Sequence, residues 1–260
     1  MSPSAELSPE LRQRTSVWQG GAPAAIPALP GTPTGFDALD AALPGGGWPA
    51  GGLAEALCRA EGVGELQVVL PALAALTQAG RRVAWLAPPH LPYAPALRAA
   101  GVRLEGLTVV RAPGRRDALW AAEQALRSGS FHALLLWLPR ASYPELRRLA
   151  VAAQAGPGFA LAFRPPEAAG EPSPAVLRLA LEPGAGGHPA GSLAVRILKR
   201  RGIPLASALP IAIDRPARAP AAPGRPAARA SLFDTHPHAL GRAPLSAFAP
   251  AGDRPRACAA

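Results

Sequence analysis

Between residues 53 and 163, short apolar runs alternate with amphipathic stretches. The runs at 53–57, 82–87, 106–111, 132–138 and 158–163 predict strands. The stretches near 64–79, 93–100, 116–128 and 143–154 predict helices. In the first helix Leu66, Val69, Leu70, Leu73 and Leu76 recur at helical spacing. In the third, Leu119, Ala122 and Leu126 share a face, and Gly129 closes it. Phe131 to Leu138 is almost unbroken apolar sequence, as a central strand covered on both faces requires. This alternation predicts an α/β fold with right-handed crossovers and a mostly parallel central sheet. After residue 170 the helical spacing stops. The segments 176–181, 193–198 and 209–213 alternate as strands between Pro/Gly turns, extending the sheet with antiparallel neighbours.

The flanks differ in kind. Residues 1–30 hold five Pro and little periodicity, and they are expected to form an N-terminal arm with Trp18 as its anchor. Thr34 to Asp40 predicts a short helix with Thr34 or Asp37 as N-cap, followed by a Gly-rich turn from Pro44 to Gly52. Residues 214–260 carry eight Pro and seven Arg against three Asp and no Glu. Such a stretch has too little apolar surface for a core and is expected as a disordered basic tail. The core domain is therefore expected at 31–213.

Charge adds a second layer. The net charge is +10, and Lys199 is the only Lys. That balance favours a polyanionic partner over a membrane. Cys58 and Cys258 lie far apart, and His90, His132, His188, His236 and His238 have no ligand spacing, so neither a disulfide framework nor a metal site is expected. With no leader pattern and no long apolar run, the cytoplasm is the expected location. Trp48, Trp85, Trp120 and Trp137 are expected to pack in the core, with Trp48 as the one open to an interface role.

The chemistry turns on Arg59 to Leu66. A phosphate-binding loop, G-x-x-x-x-G-K-[ST], belongs at such a strand–helix junction. Here Arg59 replaces the first Gly, Glu65 the Lys and Leu66 the hydroxyl residue, leaving Gly64, with Gly62 nearby. A carboxylate at 65 opposes phosphate charge, and Leu66 cannot ligate magnesium. The strand at 132–138 carries no acid for the metal. The loop is degenerate, and no catalytic residue is expected.

Five strings in order resemble the ImuA family, RecA-like accessory proteins of translesion DNA synthesis that are related to SulA cell-division inhibitors. They are Leu43 to Pro49, Gly62 to Leu66, Ala87 to Pro95, Ala118 to Gln124 and Leu198 to Gly202. The resemblance implies a RecA-like P-loop NTPase fold in which Pro89 stands where RecA has its catalytic Glu. It implies a non-catalytic factor without cofactor in damage-induced error-prone repair. Its implied partners are an ImuB-type protein, an error-prone paralogue of the DNA polymerase III alpha subunit, and further RecA and DNA, with nucleoid association after damage. Lys199, Arg200 and Arg201 match the basic segment that RecA-like proteins turn toward a neighbour; an exposed cluster or a DNA contact is the other reading. Leu232 and Phe233 resemble the core of a sliding-clamp peptide. The alternatives are a SulA-like inhibitor that binds the division tubulin, or a direct DNA-binding module.

Overall fold

Leu53–Cys58 (β1) forms the centre of an eight-stranded sheet because nearly all of its side chains are buried, Glu55 being the one charged residue among them. Around it lie Val83–Leu86 (β2), Leu107–Val110 (β3), Ala133–Trp137 (β4) and Phe159–Arg164 (β5). Leu177–Pro183 (β6), Ser192–Lys199 (β7) and Leu209–Ala212 (β8) follow. The strand order is β3-β2-β4-β5-β1-β6-β7-β8. The pairings from β3 through β6 are parallel, and β6–β7 and β7–β8 are antiparallel, so the sheet is mixed. The structure is a computed structural model and describes residues 30–59, 62, 64–184, 192–200 and 208–212.

Five α-helices among the described residues accompany the sheet: Asp37–Ala42 (α1), Leu70–Gln78 (α2), Ala94–Ala99 (α3), Arg115–Arg127 (α4) and Tyr143–Ala153 (α5). Strand side chains alternate between two cores, as the two-residue repeat demands. Val83, Trp85, Leu135, Phe159 and Leu161 face the side holding α1, α2 and α3. Ala84, Leu86, Leu134, Leu136 and Ala160 face the side holding α4 and α5. Trp48, in the Gly-rich turn, is fully buried and stacks on Phe159 at 5.4 Å, so it packs the core rather than meeting a partner. Gly129 follows α4 with φ +63°, the left-handed step that closes a helix.

Three local expectations change. The helix predicted at 64–79 begins only at Leu70, because residues 65–69 are turns and Pro71 enters the first helical turn. Phe36, not Thr34 or Asp37, occupies the N-cap of α1; Thr34 donates its N–H to Asp40 Oδ1 at 2.8 Å. Trp120 is 64 % exposed and does not pack.

At the start of α5, Ser142 donates its N–H and its hydroxyl to Glu145 Oε2, each at 2.7 Å. Arg115 joins the same carboxylate. Burial pushes the Glu145 carboxyl up, but the Ser142 bonds and Arg115 outweigh it and hold it below its ordinary value of 4.5. A carboxyl lowered in the fold stabilises above its unfolded pKa, and that contribution is lost as pH falls through the folded value. Ser142→Ala is therefore expected to cost about 1 kcal/mol at neutral pH. Urea titrations should show that difference narrowing once Glu145 is protonated.

Candidate functional site

The parallel strands β1, β2, β4 and β5 release their chains at one edge of the sheet, and ligands of such sheets bind beyond that edge. The loop after β1 lies there. Glu65 turns back on it: its carboxylate accepts the N–H of Gly62 at 3.0 and 3.1 Å and that of Gly64 at 3.2 Å. Gly62 and Gly64 both have positive φ (79° and 106°), which lets their N–H groups converge on one anion. The anion they hold is the chain's own side chain. Leu66 packs against the core instead of offering a hydroxyl. Glu65→Lys restores one missing group and leaves the acid-free β4 and Pro89 as they are. Purified Glu65→Lys protein is expected to show no ATP hydrolysis above background in a phosphate-release assay.

Beside this loop runs a groove of about 1010 Å³ whose lining includes Leu66, Leu70, Trp85, Pro88, Leu97 and Trp137. Its floor is aromatic. Trp85 and Trp137 meet at 5.6 Å, and Trp137 stacks on Phe163 at 5.0 Å. Its wall is the proline-rich segment after β2, which starts at Ala87 with φ 51°. A non-glycine residue held left-handed costs free energy and marks a segment whose path is imposed by its surroundings. That path places Leu91 and Tyr93 in solvent, 73 % and 71 % exposed. The short α3 behind them buries only Leu97. Two large apolar side chains in water beside an open apolar groove are what an interface core looks like before its partner arrives.

Behind the edge, Glu55 is fully buried in β1. Arg178, its register partner in β6, donates Nε to Glu55 Oε2 at 2.5 Å. Arg164, ending β5, donates Nη1 to Glu55 Oε1 at 3.0 Å and Nη2 to Glu171 Oε2 at 2.8 Å. The Arg178 guanidinium also donates to the carbonyls of Ala168, Ala169 and Glu171. Two arginines and two carboxylates thus tie three strands to the 3-10 turn at Pro166–Gly170.

The expected basic segment is placed in part. Lys199 donates Nζ to the carbonyl of Ser173 at 2.8 Å, and Arg200 donates to the carbonyl of Ala42. Both cations are engaged with this chain's own backbone. Arg201, Leu232 and Phe233 lie outside the described residues. Leu91, Tyr93, Arg164 and Arg178 had been given no role. The signal for the arginines was Glu55, a lone acid in an apolar central strand, which demands buried cations.

Residues 52–160 match the family model of the cell division inhibitor SulA. That span holds the loop, the groove, Leu91 and Tyr93. The SulA of Edwardsiella piscicida is 37 % identical over 97 residues, covering 37 % of this chain and 58 % of that protein. The SulA of Yersinia pestis (strain Pestoides F) is 28 % identical over 99 residues, covering 38 % and 59 %. The crystal structure of SulA from Pseudomonas aeruginosa is 30 % identical and covers 43 % of this chain and 96 % of that one, with a TM-score of 0.37. The chain thus spans under two thirds of the length of the curated relatives it matches.

These matches correct two expectations. The strings at 62–66, 87–95 and 118–124 lie within the SulA match, so the ImuA assignment and its RecA-like P-loop NTPase fold are withdrawn. The partners implied with them go too: the ImuB-type protein, the polymerase III alpha paralogue, RecA and the accompanying DNA contact.

Proposed function

We propose that this protein inhibits cell division by binding the division tubulin FtsZ, without catalysis, as part of the response to DNA damage. The observation that carries the proposal is the groove with Leu91 and Tyr93, which falls inside the segment similar to SulA. Glu65 in the phosphate position supports a role of assembly rather than turnover. The core at 31–213 carries the activity, with 1–30 and 214–260 as appendages. No helix among the described residues is long and apolar enough to cross a membrane. The full chain, added to FtsZ with GTP, is expected to lower the polymer recovered by sedimentation in proportion to its concentration. Unchanged polymer mass at equimolar protein would overturn the proposal.

A further inference from the structure

Far from the groove, on the other face of the sheet, α4 and α5 leave a cleft of about 460 Å³ between them. Trp120 stands in it, 64 % exposed. On α4 the buried positions are Ala118, Ala122 and Glu123, so Trp120 sits on the opposite side of the helix from the alanines that meet the sheet. Leu119 and Leu149 form the cleft's base, and Arg115, Arg116 and Arg148 its rim.

Two of the three rim arginines, Arg115 and Arg148, are held in place. Glu123, with a side chain only 8 % exposed, receives Arg127 at 2.7 Å and Arg148 beside it. Glu145 receives Arg115. A guanidinium has five N–H donors, and an ion pair with one carboxylate leaves most of them available. Fixing these side chains in advance lowers the entropy cost of a second contact. Trp and Arg are also the residue types that dominate binding hot spots. The three arginines that line the cleft outnumber its two carboxylates, so the complementary surface is acidic. A phosphate backbone, charged at every step, would meet Glu145 at the rim; a protein segment can place its charges selectively.

We propose that the α4–α5 cleft docks an acidic protein segment that carries an aromatic side chain. The aromatic ring stacks on Trp120, and flanking carboxylates take the outward donors of Arg115, Arg116 and Arg148.

The test uses the full chain and two fluorescein-labelled acidic decapeptides, one with a central phenylalanine and one with alanine there. Fluorescence anisotropy should show the phenylalanine peptide binding at least fivefold more tightly. Trp120→Ala abolishes that preference and Trp120→Phe keeps it. Arg116→Glu, at an exposed position outside the Glu pairs, weakens both peptides by about tenfold, the scale of one interfacial hot spot. Thermal melts of each variant confirm that the fold is intact. The proposal is overturned if wild type does not distinguish the peptides, or if Trp120→Ala retains the preference. It is equally overturned if oligothymidylate binds more tightly than both peptides and loses that affinity with Trp120. FtsZ sedimentation is read separately, so failure of this site and failure of the division inhibitor are distinguishable.

Discussion

Glu55→Ala is expected to destabilise the protein by about 3–5 kcal/mol, enough to leave much of it unfolded at growth temperature. Removing the carboxylate strands two guanidiniums whose side chains are 1 % and 8 % exposed. Little of either meets water, and Glu171, with its side chain 56 % exposed, is the acid that remains in their network among the described residues. Arg178 keeps its three carbonyl acceptors but loses its charged partner among the described residues. Glu55→Gln retains an acceptor oxygen and the side chain's volume, so its cost should be smaller than that of alanine. Replacing Glu55, Arg164 and Arg178 together by apolar residues of similar size should cost less than Glu55→Ala alone, because a buried ion pair contributes little beyond its own desolvation. Urea denaturation followed by far-ultraviolet circular dichroism measures all three. A Glu55→Ala midpoint equal to wild type would mean that water enters the network.

The central strands were legible because their runs are apolar on both faces, and such runs tolerate little else. The run at 132–138 became Ala133–Trp137 with four of its five side chains buried. The helix expected at 64–79 misled because Leu66 and Val69 fit the helical spacing while serving as turn residues that pack on the core. Spacing cannot see that Glu65 folds back on Gly62 and Gly64. Trp120 misled for a different reason: aromatic residues within an amphipathic helix usually point inward, and only the small Ala118 and Ala122 beneath it show that the buried face lies elsewhere. The family assignment was the least legible step. A strand, a loop without its lysine and a following helix suit a translesion factor and a division inhibitor equally. Identity of 37 % along 97 residues aligned with a SulA weighs toward the second reading, where short strings could not.

Leu91→Glu combined with Tyr93→Ala is expected to abolish the proposed inhibition of FtsZ assembly while leaving the fold unchanged. Both side chains are mostly in solvent, so the free protein has little burial to lose and its melting temperature should hold. The bound state loses much more. Truncating a central aromatic anchor commonly costs 2–4 kcal/mol of binding, which is about 30- to 1000-fold in affinity. A carboxylate at 91 must in addition be desolvated against the apolar wall of Pro88, Pro89 and Pro92. The single change Tyr93→Phe separates the parts played by ring and hydroxyl. If the ring alone packs into the partner, Tyr93→Phe inhibits as wild type does; if the hydroxyl meets a buried polar group, affinity falls by about tenfold. Sedimentation of FtsZ with GTP, alongside thermal melts of each variant, reads both terms. A double variant that melts as wild type and still blocks assembly would place the interface elsewhere on the molecule, with Leu91 and Tyr93 as bystanders.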